Sequence, residues 1–421
     1  MINAGQREPL DTSDHTLPIS DIVKESVYPA IHEFMQAAAG NHPDATRPAG
    51  LFLVNEDLQK VKRFCKYMSQ LPTELRQVQD YLGFHDSFIP GLQPVDVAAL
   101  HRELKGFAEF WYEIENDMRN VTANLVTFSV ELESFGNPVV EFIKKMAGYL
   151  SYQGVVGEVT AEDLQSLPEK PLSQKDLPKL DPLVQLTQEL VETVEEHREA
   201  ARKVKDKVVY FRTQLRDVRD DITRKLKRLV DNGVDSLTAD ANAELDRLND
   251  LIEDSTKKYS TFTKYTFVGL WWGPVGLAIS ASIYGPQAIA AKNEQATRLA
   301  EKQAVEAKLK SLNRFMASLS TVETDLQNMQ LLTDEALNGA GSLENIWLMI
   351  GDYIASSVRR IKDTKSATTL FIFESRLSHM IAQWGNVEKQ AKILMQVLSQ
   401  DTEELNLPNK HQPEQAIEIT Q

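Results

Sequence analysis

The sequence predicts an all-α protein, an elongated helical bundle forming a tail, with a long antiparallel coiled-coil neck ending in a hydrophobic hairpin tip as its head. Three observations carry this. Apolar residues recur three and four apart over most of the 421 residues. Gly and Pro are few, at 19 and 17, which leaves little material for turns. One uninterrupted seam, Leu190, Val194, His197, Ala201, Val204, Val208, Phe211, Leu215, Val218, Ile222, Leu226 and Leu229, keeps the alternating four-three spacing of a coiled coil.

The elements follow in order. Residues 1–20 read as a disordered N-terminus without the basic and apolar regions of a Sec-type signal peptide. From residue 21 an amphipathic helix is expected, kinked at Pro29. Leu58, Val61, Cys65, Met68, Leu71, Leu75, Val78 and Leu82 line one helical face, bent at Pro72. Residues 95–152 read as helix interrupted at Gly136 and Pro138, and residues 153–182, with four prolines, as the longest helix-free connection.

After the seam helix, "DNGVDS" marks a turn. Leu245, Leu248, Ile252 and Tyr259 lead into an apolar run, and Val305, Leu309, Leu312, Met316, Leu319, Leu326 and Met329 lead out of it. "LNGAGS" at 337–342 is expected to end that second long helix, followed by two more over 343–363 and 368–400. This divides the chain into a tail bundle (21–235 and 340–400), a neck with its head (236–339, tip 265–291) and a disordered tail (401–421).

The formal net charge of −15 opposes a nucleic-acid partner, which needs a clustered basic surface. Helix 198–228 is locally basic, but its charges alternate in sign beside a packed seam and read as a solvated or helix-pairing face. His197 reads as a packing residue, because no second ligand lies at metal spacing, and Cys65 as a small buried residue. No phosphate loop, nucleophile elbow, HExxH or CxxC occurs, so catalytic residues, metals and cofactors are expected to be none and the chain is not read as an enzyme.

The apolar run is the candidate site. Tyr265 to Ala291 are 27 consecutive uncharged residues, offering Tyr265, Phe267, Val268, Leu270, Trp271, Trp272, Val275, Leu277, Ile279, Ile283, Tyr284 and Ile289 to a bilayer. Lys257, Lys258, Lys264 and Lys292 flank it, placed to reach lipid phosphates. Gly273-Pro274 and Gly285-Pro286 break helix within it and set the hinge of a hairpin. One straight helix of that length spans ~40 Å, enough for one crossing of a ~30 Å core, whereas two crossings need about 40 apolar residues. A broken hairpin of this length therefore reads as a wedge into one leaflet, or as a hairpin that goes deeper only when partner subunits cover its backbone. It is helical or a short β-tongue, since "TFVGLWW" and "LAISASIY" hold strand-compatible residues.

Helix order, chain length and "TFVGLWWGPVGLAISASIYGPQAIAA" at two-thirds of the chain resemble the α-helical pore-forming toxins of the cytolysin A type, and among them the A subunit of xenorhabdolysin-type binary toxins. The resemblance covers roughly residues 20–400. It implies a soluble monomer, secreted without a Sec-type signal, that joins a second, B-type helical subunit in a hetero-oligomeric ring at the host-cell membrane. The partner then supplies most of the membrane-spanning helix. The rival expectation is a coiled-coil scaffold or remodelling protein of the producing cell, anchored by the same tip.

Overall fold

The computed structural model describes residues 27–43, 48–83, 85–87, 89–152, 167–231, 239–269, 286–312 and 314–399. Among them there are ten α-helices and no strand beyond a single bridge, Pro171 to Ser366. They are α1 Val27–Ala38, α2 Asn55–Gln70, α3 Leu75–Leu82, α4 Pro94–Lys144, α5 Ala147–Leu150, α6 Leu180–Asp231, α7 Ala239–Gly269, α8 Pro286–Leu312, α9 Arg314–Thr364 and α10 Ala367–Ser399. The expected N-terminal and C-terminal disordered segments lie outside the described residues.

Two antiparallel pairs make the bundle. The α6 seam buries against α9: Leu190, Ala201, Val208, Phe211, Leu215 and Ile222 are fully buried, and only Leu226 is partly exposed. Cross-links fix the direction of that pairing, with Thr223 on Glu323 at 2.6 Å, Arg212 on Asp334 at 2.8 Å, Lys205 on Glu344 at 2.9 Å and Lys362 on Asp181 at 2.8 Å. The basic face of α6 is divided between pairs with neighbouring helices, Lys207 reaching Asp117 of α4 at 2.6 Å as well, and pairs within α6 such as Arg198 with Glu195 at 3.2 Å. In the second pair α4 lies against α10, where the Trp384 indole donates to the Leu125 carbonyl at 3.2 Å.

An aromatic plug joins the pairs. Phe128 of α4 meets Trp347 and Trp384 edge-on, at centroid distances of 5.0 and 4.9 Å. His197 packs 4.8 Å from Trp347 and bonds Glu131 at 2.6 Å, which suits the packing role expected of it. Cys65 is fully buried, and burial pushes its thiol well above the ordinary range.

Several helix ends follow the sequence. Pro72 separates α2 from α3, and its carbonyl meets the His101 Nδ1 at 2.6 Å. Gly83 ends α3 with φ 76°, a left-handed cap that costs glycine nothing. Pro94 opens α4 behind a reciprocal cap between Gln93 and Asp96. Buried Asp176 accepts from the Ala147 and Gly148 amides at 3.0 and 2.7 Å, pinning the long connection to the start of α5. Burial works to raise its carboxyl, and these bonds with Ser173 and Lys179 outweigh it and hold it below the usual range. Residues 167–175 of that connection drape over the α9–α10 turn, where Leu172 donates to Lys365 at 2.7 Å and Lys170 accepts from Ala367 at 2.8 Å.

Three expectations are corrected, while the kink expected at Pro29 turns on residues 21–26, which lie outside the described residues. α4 runs unbroken through Gly136 and Pro138, because packing against α10 on one side holds the path despite one lost hydrogen bond. α9 runs unbroken through "LNGAGS", whose Gly339 is needed for close approach rather than for a helix end. A Cβ there would sit 2.4 Å from the Leu51 carbonyl oxygen. Finally, Val305 and Met316 do not share one helix. α8 ends at Leu312, and α9 returns antiparallel to it, as Lys302 on Glu323 and Glu306 on Ser320 show.

The two helical glycines separate experimentally. Gly339→Ala is expected to destabilise the protein by about 1–3 kcal/mol in urea unfolding, since backbone faces the new methyl group. Gly136→Ala meets the flexible Ile381 Cδ1 instead, at 2.8 Å, and its helix-propensity gain of about 1 kcal/mol leaves it near neutral.

Candidate membrane-contacting hairpin

The apolar run is held between two arms. α7 and α8 pair antiparallel, with Lys258 on Glu294 at 3.9 Å, Gln295 on Thr256 at 3.4 Å and Lys302 on Asn249 at 2.5 Å. α7 supplies the apolar side through Leu245, Leu248, Ile252 and Tyr259, all buried as their spacing predicts. The inner face of α8 is different in kind: Ala288, Ala291, Gln295, Leu299, Lys302 and Glu306 are its buried residues, mostly small or polar.

Those polar residues seat the hairpin on α9. Lys302, fully buried, donates to Glu323 at 2.9 Å, Gln327 at 3.1 Å and Asn249. Glu323 in turn receives Thr223 of α6 and Asn249 of α7, so four helices meet at one carboxylate. Further along, Lys292 of α8 bridges two buried carboxylates, Asp57 of α2 and Glu335 of α9, the latter at 2.6 Å. The Tyr259 hydroxyl donates to the same Glu335 oxygen at 2.5 Å. Burial works to raise the Asp57 carboxyl, and Lys292 with Lys60 outweighs it and holds it below the usual range.

This seating places the arms. Asn249 lies beside Glu323 and Tyr259 beside Glu335, so α7 runs parallel to α9, which continues to Thr364. The described parts of the arms lie along α9, and Lys292 is fixed near the middle of the α6–α9 pair, where Arg212 meets Asp334. The apex of the expected tip, 270–285, lies outside the described residues. Buried ion pairs bind α8 sideways to α9, and periodicity does not register them.

The predicted site residues fall into three groups. Leu270, Trp271, Trp272, Gly273, Pro274, Val275, Leu277, Ile279, Ile283, Tyr284 and Gly285 lie outside the described residues. Tyr265, Phe267 and Val268 belong to α7, which is helical through Gly269, so the described start of "TFVGLWW" is helix rather than strand. Pro286 opens α8 and Ile289 is partly buried on it. Of the flanking lysines, Lys257 pairs with Glu253 and Lys258 with Asp254, both at 2.7 Å on the exposed side of α7, while Lys292 is engaged as above. Asp57, Lys302, Glu323 and Glu335 were invisible to the search for a site, because buried charges carry no spacing signal.

Among the described residues no helix is long and apolar enough to cross a membrane, and no group of three His, Cys, Asp or Glu is placed to hold a metal ion. An open hollow of about 520 Å³ lies between α4 and α6, lined by Asp117, Asn120, Asn124, Lys203 and Lys207 among others.

No family model matches this sequence, and no curated protein does. Among solved structures, YaxA from Yersinia enterocolitica is 20% identical over 82% of this chain and 96% of that one, with a TM-score of 0.43. XaxA from Xenorhabdus nematophila is 21% identical over 83% and 97%, with a TM-score of 0.44. SmhA of the tripartite alpha-pore forming toxin Smh from Serratia marcescens is 15% identical over 91% and 96%, with a TM-score of 0.49.

Removing the Lys302 charge leaves Glu323 buried without its cation. Lys302→Met is expected to cost about 3–5 kcal/mol and to speed proteolytic cleavage within 286–312 before the α6 and α10 segments are cut.

Proposed function

We propose that this chain is a subunit of a two-component α-helical pore-forming toxin and that Tyr265 to Ala291 is the part that meets the target bilayer. One observation carries the reading: 27 consecutive uncharged residues, rich in aromatics, join two arms that are otherwise dense in charge. Apolar surface of that size at a turn is out of place in water and marks an interaction surface. Aromatic side chains favour the headgroup boundary, and the exposed Lys257 and Lys258 before the run favour lipid phosphates.

Energetics agree with a reversible first contact. Each large apolar side chain fully buried in lipid contributes ~1.5–3 kcal/mol, so five or six give micromolar attachment. Deeper insertion needs backbone polar groups to be covered, and a run too short for two crossings cannot cover its own. A second helical subunit supplies what is missing, and assembly then adds avidity. The exposed pairs of Lys257 and Lys258 are weak enough to exchange a carboxylate for a phosphate on contact.

Trp271→Glu with Trp272→Glu is expected to abolish liposome flotation and red-cell lysis while leaving the far-ultraviolet circular dichroism unchanged. Lysis is measured with and without the product of a neighbouring gene for a similar-sized helical protein. Full lysis by the double variant overturns the assignment of the tip. Liposome binding without lysis under any pairing favours the scaffold reading instead.

A further inference from the structure

Among the side chains described in the seam between α8 and α9, acid outnumbers base. Glu306 of α8, 5% exposed, accepts hydrogen bonds from Ser320 at 2.8 Å and Thr324 at 2.5 Å. On α9 stand buried Glu323 and partly buried Asp325. Among the described side chains, Lys302 brings the positive charge to these three carboxylates, and it is already bonded to Glu323.

The neighbouring helices do not redress the balance. α7 adds Asp246, which lies under the charges of Glu323 and Asp250, with Lys302 and Lys227 of α6 acting against them. α6 also offers Glu323 the neutral Thr223 hydroxyl, and α2 turns the Tyr67 phenol toward Asp325. A dry seam with three carboxylates around one ammonium group is relieved by taking up a proton.

We propose that this acidic seam is a pH-set clasp on the α7–α8 hairpin, closed in mild acid where the seam holds a proton and loosened as the pH rises through neutrality. The inner face of α8 is small and polar, so its seating depends on these contacts more than on apolar area. Burial and Glu306 push Asp325 up to about 7, against the pull of Lys302. Burial also raises Glu306, against Thr324 and Lys302, and raises Asp246 together with Glu323 and Asp250.

The direction follows from linkage. A carboxyl group whose docked pKa is raised binds its proton more tightly when docked. Its contribution is full below the ordinary carboxylate range and is lost progressively as the pH rises from there through about 7. Asp57 acts oppositely. Held low by Lys292, it contributes above the ordinary carboxylate range and is lost only as the pH falls below about 4. The clasp is therefore tightest near pH ~4–5 and loosens steadily toward neutrality.

Hydrogen exchange of the full chain, corrected for intrinsic rates, tests the clasp at about pH 5.5 and about pH 7.5. Protection of the 286–307 peptides is expected to fall by about tenfold or more at the higher pH, while α6 and α10 peptides hold theirs. Glu306→Gln with Asp325→Asn is expected to keep α8 protected at both values, with α6 and α10 reporting an intact bundle. Equal protection of α8 at both pH values in the natural sequence overturns the clasp, as does an undiminished fall in the double variant or a fall shared by every helix. No membrane enters the measurement, so its outcome is separate from that of the lysis experiment.

Discussion

The antiparallel contact of α6 with α9 is the constraint on which the rest of the structure depends. Two helices of 52 and 51 residues lie along one another, and a continuous stripe from Leu190 to Leu229 leaves water on one side of the pair. A helix of that length gains little from propensity alone, so its stability comes from the face it buries. With the axis of α9 fixed, Trp347 is placed against Phe128 and Trp384, and α4 and α10 are registered in turn. The same axis offers its other side, through Glu323 and Glu335, to the arms of the hairpin.

The protein is thereby built in two tiers. The bundle is closed by large apolar side chains, whose burial is non-directional and insensitive to protonation. The hairpin is seated through lysines, carboxylates and hydroxyls, whose contribution depends on every partner being present. Apolar contact along α7 keeps the arms together, while polar contact along α8 decides whether they stay on α9. An element joined to its host in this way is the kind that opens locally while the host stays folded.

Much of this was legible in the sequence. The α6 stripe and the apolar side of α7 follow from spacing, because burial on one helical face leaves a period in the chain, whereas Pro72, expected to bend one helix, separates two. The breaks expected at Gly136–Pro138 and at Gly339 were misread for one shared reason. Glycine in a helix marks either an end or a close approach, and the sequence does not distinguish them until a neighbour such as Ile381 or Leu51 is known. The seating of the hairpin had no sequence signal at all, since Lys292 and Lys302 look like any other lysines in a charged helix.

By itself, the sequence determined the helical class, the long α6 seam, the presence of one apolar run between two charged arms and the absence of familiar catalytic motifs. These are properties of residue spacing and type. Only the tertiary structure decided that α4 and α9 continue past their glycines, that α8 doubles back on α9, and that the described parts of the arms lie along α9. Each of these turns on which groups meet across helices. A buried ion pair or a backbone contact is specified by two positions far apart in the chain, and no local pattern records it.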